Sequence, residues 1–138
     1  MCGVFGGHIG SYPFPTARTC GRTSENVYVA ATVLGSVCTM RRAGIVGQKL
    51  EELAAEVDYI CPMLYPSSFK GLATDPLENA YPLVRENVEA AAARLGGESK
   101  KLRPWLQNFP DPRTPEAPLS VATLRLQLKA AADAGASG

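Results

Sequence analysis

Apolar positions along this chain change period several times, and each change predicts an element. Val27 to Val37 reads Val-Tyr-Val-Ala-Ala-Thr-Val-Leu-Gly-Ser-Val, apolar and β-branched. Such a run suits a strand covered on both faces, as in a parallel sheet. A loop is expected over Cys38–Val46. Gly47–Glu56 then takes a helical period, with Leu50, Leu53, Ala54 and Val57 on one face and the acids opposite. A strand over Asp58–Tyr65 follows almost at once, as a βαβ unit requires. Pro62 is awkward in it, because proline cannot donate to the ladder.

Pro66–Ala80 reads as a long loop. Tyr81–Leu95 reads as a helix with Pro82 in its first turn, ended by Gly96-Gly97. The next strand spans Lys101–Phe109 and again carries a proline, Pro104. Pro110–Pro118 contains four prolines and is predicted as loop. Ser120 is a fair N-cap for a last helix with Leu124, Leu128 and Ala131 on its apolar face. The Ala-Gly-Ala-Ser-Gly138 ending turns as though another strand should begin. Met1 to Asn26, rich in Gly, Ser, Thr and Pro, shows neither period and is predicted to be irregular and poorly ordered.

Strand alternating with helix predicts an α/β domain over 27–138. Its form is an incomplete (β/α)8 barrel of about three parallel strands and three helices. A whole barrel needs about 250 residues, and this chain has 138. Within the two later strands, Tyr59, Cys61, Met63 and Tyr65 share one face, as do Arg103, Trp105 and Gln107. The opposite sets, Ile60, Leu64, Leu102 and Leu106, are aliphatic and suit packing on helices. Tyr65 and Gln107 thereby reach the C-terminal ends of their strands, where barrels carry their chemistry. Trp105 lies one layer deeper, and Ser67, Asn108 and Asp111 enter from the loops.

Aromatic rings beside amides and hydroxyls match a sugar, whose C–H faces stack while its hydroxyls pair. On spacing alone, filling a core outweighs a ligand role for Met63, Tyr65 and Trp105. Arg103 suits a buried, charge-paired position, Asp58 a structural hydrogen bond, and Ser67 and Asn108 turn or cap positions.

The net charge of +1 is evenly spread and gives no electrostatic case for nucleic acid or an anionic membrane. No stretch approaches the roughly 20 apolar residues of a membrane span. The N-terminus lacks the basic start and apolar core of a signal peptide. The expected location is soluble and cytoplasmic for a chain complete as given, and secreted if a signal precedes Met1. Cys2, Cys20, Cys38 and Cys61 form no CxxC pair and His8 is the lone histidine, so no metal site is indicated. Cys61, mid-strand, is expected as a small buried hydrophobe rather than half of a bridge. No glycine-rich phosphate loop is present, so no cofactor is implied.

Several strings resemble the C-terminal half of a family of glycoside hydrolases with a (β/α)8 barrel. They are Val-Ala-Ala-Thr-Val-Leu-Gly35, Gly47-Gln, Val-Asp-Tyr-Ile-Cys-Pro-Met-Leu-Tyr-Pro-Ser67, Arg-Pro-Trp-Leu-Gln-Asn-Phe109, and Gln127 with Asp133-Ala-Gly135. The resemblance implies a carbohydrate partner, hydrolysis of O-glycosidic bonds in a polysaccharide or oligosaccharide, and a sugar-facing set of Tyr65, Ser67, Trp105, Gln107 and Asn108. Three positions depart from it. Thr32 and Asn108 stand where the family has aspartate, and Ser68 where it has histidine. Most glycosidases need two carboxyl groups flanking the bond, and neither threonine nor asparagine supplies one. Catalytic residues are therefore left unassigned. A non-catalytic or degenerate carbohydrate-binding relative is the alternative to an enzyme.

Overall fold

A computed structural model describes residues 28–40, 46–69, 76–111 and 119–138. The expectations for Met1–Asn26, Cys2 and Cys20, and for most of the 110–118 loop, lie outside the described residues. Three strands, β1 (Ala30–Leu34), β2 (Tyr59–Leu64) and β3 (Trp105–Leu106), form one sheet in the order β1-β2-β3, all parallel. Three helices, α1 (Leu50–Glu56), α2 (Pro76–Arg94) and α3 (Val121–Asp133), connect or follow them. This is an α/β arrangement whose order never reverses along the chain, consistent with part of a barrel. A doubly wound sheet would reverse.

Alternation in the strands decides which face the helices cover. Val33, Ile60, Leu64 and Leu102 are fully buried in one apolar cluster with Leu50 and Ala54 of α1, Val84 and Val88 of α2, and Ala130 and Ala131 of α3. The other set faces away from the helices: Thr32 and Leu34 of β1 and Trp105 of β3 are exposed, while Tyr59, Met63 and Tyr65 are half-buried. Among the described residues one face of the sheet is thus core and the other is largely open, with Cys61 buried on it.

Strand starts repeat one rung. The Tyr59 N–H donates to the Val29 carbonyl (3.1 Å), and the Arg103 N–H to the Ile60 carbonyl (2.9 Å). The Ser137 N–H donates to the Leu102 carbonyl (3.0 Å), which ties the residues after α3 to the segment that leads into β3. The outer edge of β1 is blunted by a side chain: Gln48 Oε1 accepts the Leu34 N–H at 3.0 Å.

Several boundaries differ from the sequence expectation. β1 stops at Leu34, where a 3-10 turn over Gly35–Cys38 carries Val37 and Cys38 into the core. The helix predicted from Gly47 starts at Leu50. α2 begins at Pro76 rather than Tyr81, because Pro76 supplies the first-position proline and Pro82 is tolerated inside the helix. Its end was well marked. Gly96 and Gly97 take positive φ (68° and 93°), and the Gly97 N–H closes back onto the Ala92 carbonyl at 2.8 Å.

β3 is two residues long, with an isolated bridge between Ile60 and Leu102 before it. The common register of that bridge and of the Met63–Trp105 pair sets Pro62 opposite Pro104. Arg103 and Ile60 turn their peptide groups to each other, so the next β2 donor on that edge would be Pro62; it has no N–H, and the ladder breaks there. α3 is capped as expected, the Thr123 N–H meeting Ser120 Oγ at 3.0 Å. Its buried face is Thr123, Gln127, Ala130 and Ala131, however, and Leu128 is exposed.

Candidate functional site

Parallel pairing of β2 with β3, Met63 against Trp105 and Leu64 against Leu106, brings both strand ends to one end of the sheet, the candidate mouth. Tyr65 directly follows β2, and its ring meets Phe109 edge-to-face, centroids 5.1 Å apart at 79°. Ser67 lies in the 3-10 turn Pro66–Ser68, half-buried, and its N–H donates to Gln107 Oε1 at 3.0 Å. Gln107 is 2% exposed, and its Nε2 donates to the Phe109 carbonyl at 3.0 Å. One side-chain amide therefore ties the loop after β2 to the loop after β3. Asn108, beside it, is exposed and makes no side-chain hydrogen bond among the described residues.

Trp105 sits on the open face and remains 51% exposed. Arg103, two residues earlier on that face, lies over the Tyr59 ring at 3.4 Å and donates to Ser137 Oγ at 3.2 Å. The charge pairing and burial expected for Arg103 are not found. The side chain is exposed and no acid pairs with it among the described residues, because the cation rests on an aromatic face instead. Asp58 does take the structural role expected of it, accepting the Val29 N–H at 2.8 Å.

Both described thiols are held toward the protonated form. Cys61 and Cys38 are buried and free. Burial pushes the Cys38 thiol up to about 12, partly offset by the Arg94 guanidinium. Burial likewise raises the Cys61 thiol, against the opposing pull of the Trp105 N–H and of Arg103. A protonated thiol neither attacks nor binds metal well. Among the described residues no group of three or more His, Cys, Asp or Glu could hold a metal ion, and no helix is long and apolar enough to cross a membrane.

All five sequence-predicted residues, Tyr65, Ser67, Trp105, Gln107 and Asn108, thus lie along the ends of two adjacent strands. They differ in what they can touch: Trp105 and Asn108 reach solvent, whereas Gln107 is buried. Two participants were not among the sequence-predicted site residues, although both stand in the strings that carry the family resemblance. Phe109 looked like a strand end, and its contact with Tyr65 comes from strand pairing alone. Gln127 lies on α3 and grips Gln107 from behind. The available signal was a glutamine on the helix face that also carries Ala130 and Ala131, where a large apolar residue would be ordinary.

A family profile described as a putative glycosyl hydrolase domain matches residues 17–138. The chain belongs to that family. No curated protein and no solved structure matches it. In this glycosyl hydrolase-family chain, Asp111 is the acid nearest in sequence to the mouth. It is half-buried and has interactions of its own.

Proposed function

We propose that this chain is part of a (β/α)8 barrel that binds a polysaccharide or oligosaccharide at the C-terminal ends of β2 and β3, in the manner of a glycoside hydrolase. The observation that carries the proposal is the parallel Met63–Trp105 and Leu64–Leu106 pairing, which gathers Tyr65, Ser67, Asn108 and Phe109 at one mouth. A strand order without reversal, helices packed on one face only, and the family match support it. Trp105 offers a half-open ring for stacking on a sugar face. Asn108 offers an exposed amide for hydroxyls, and Ser67 a hydroxyl. Gln107 contributes through the backbone groups it holds.

Hydrolysis needs an acid and a nucleophile or base. Thr32 and Asn108 do not supply them, which favours the second reading, a carbohydrate-binding relative without turnover. Calorimetric titration with cello-, xylo- and chito-oligosaccharides, beside a reducing-sugar assay, separates the two. Trp105→Ala is expected to weaken binding roughly tenfold, about 1.4 kcal/mol, with an unchanged circular dichroism spectrum. Equal affinity in an intact fold would remove Trp105 from the sugar-facing set.

A further inference from the structure

Behind the mouth lies a chain of two amides. The Gln107 side chain is used at both ends, its oxygen on the Ser67 N–H (3.0 Å) and its nitrogen on the Phe109 carbonyl (3.0 Å). The Gln107 backbone is also held at both ends, and by a single side chain. Its N–H donates to Gln127 Oε1 (2.9 Å), and its carbonyl accepts from Gln127 Nε2 (3.1 Å). Gln127 is fully buried on α3, and its nitrogen also lies 3.5 Å from the Thr123 carbonyl one turn back. It does for the end of β3 what a neighbouring strand would do. The partner here is a helix side chain, so the position of β3 is referred to α3.

Two buried amides satisfied in this way are directional in a sense that two leucines are not. A leucine at 127 would fill space equally well but would let the Gln107 peptide rotate. That rotation would carry Gln107 Oε1 away from Ser67 and release the Phe109 carbonyl, opening the Tyr65–Phe109 contact. We infer that Gln127, which touches nothing at the mouth itself, is a positioning residue for it, acting through Gln107 to set the spacing of the loops that carry Ser67 and Asn108. Only the predicted effect on binding rests on the carbohydrate reading; the effect on the loops does not.

The test uses the full chain with Gln127→Met, which keeps length and removes both bonds, and Gln127→Glu. The carboxylate of the latter still accepts the Gln107 N–H but sets an oxygen against the Gln107 carbonyl. Once protonated it can donate there. Amide hydrogen exchange at Ser67 is compared with exchange at Gly97, whose N–H is held at the far end of α2. The expected result is that Ser67 exchange rises on the order of tenfold or more beyond any change at Gly97. In Gln127→Glu the excess should shrink as pH falls and the carboxyl takes up its proton.

Equal factors at both amides, an unmoved Ser67, or loss of folding in both variants would reduce Gln127 to ordinary stability and overturn the inference. Titration of the same proteins with cellohexaose, xylohexaose and chitohexaose should show weaker binding in both variants. Should the unsubstituted chain bind none of the three, the carbohydrate reading fails, and the exchange data still decide the role of Gln127.

Discussion

Arg94 shows how much of this fold hangs on single side chains. It stands in the last turn of α2, and its guanidinium faces Glu51 of α1 as a fork, Nε to Oε1 and Nη2 to Oε2, both at 2.8 Å. The remaining nitrogen, Nη1, donates to the carbonyls of Val37, Cys38 (3.3 Å) and Met40 (2.9 Å) in the turn after β1. Those carbonyls end a 3-10 segment and have few other partners to accept from. Three elements meet at one planar group that is 18% exposed. Lysine carries the same charge as a single point and cannot fork. Arg94→Lys should therefore lower unfolding stability by about 2 kcal/mol, the scale of charge-assisted bonds left unmade. Urea titration measures it, and a midpoint within error of the parent would show the fork to be ornamental.

At the scale of elements, what could be foreseen depended on local signals. β2 was legible almost to the residue, because Ile60 and Leu64 alternate with Tyr59, Met63 and Tyr65; Cys61, buried on the other face, departs from that alternation. The C-terminus of α2 was legible from two glycines. The brevity of β3 was not, because it depends on which β3 rung Pro62 faces, and register is a long-range fact. The rotation of α3 was hidden for a similar reason: Gln127 faces inward to hold Gln107, which displaces Leu128 to the surface. Tyr65, Ser67, Trp105 and Asn108 could be placed at a mouth from strand direction alone. The buried bonding of Gln107 could not, since it requires knowing where α3 lies.

The end of β1 was also misjudged, and Gly35 explains it. A Cβ on Gly35 would come within 2.3 Å of the Met63 carbonyl oxygen and 2.7 Å of the Phe69 ring. Its backbone crosses that close to β2, which turns the chain out of the strand and into the core. Phe69 could swing aside, but a carbonyl inside a strand cannot. Gly35→Ala should therefore cost about 1–3 kcal/mol, the range for overpacking, read as a fall in thermal midpoint. A variant as stable as the parent would mean that the turn after β1 relaxes freely.

At the scale of the whole molecule, the defining feature among the described residues is a sheet with helices on one side and several exposed side chains on the other. Thr32, Leu34 and Trp105 project there, and Phe109, 40% exposed, stands at the mouth above them. Trp105 is the sole tryptophan, so its fluorescence reports on that face without labelling. Half-exposed, it should be quenched by acrylamide more readily than a buried indole and less readily than in the unfolded chain. The quenching constant should not change with protein concentration while the face stays open. It should fall when an oligosaccharide that stacks on the ring is added, because the sugar excludes the quencher. Strong protection in the free protein that grows with concentration would mean instead that a second copy covers the sheet. The ring would then be an assembly contact, and the mouth would have to recognise sugar through Tyr65, Ser67 and Asn108 alone.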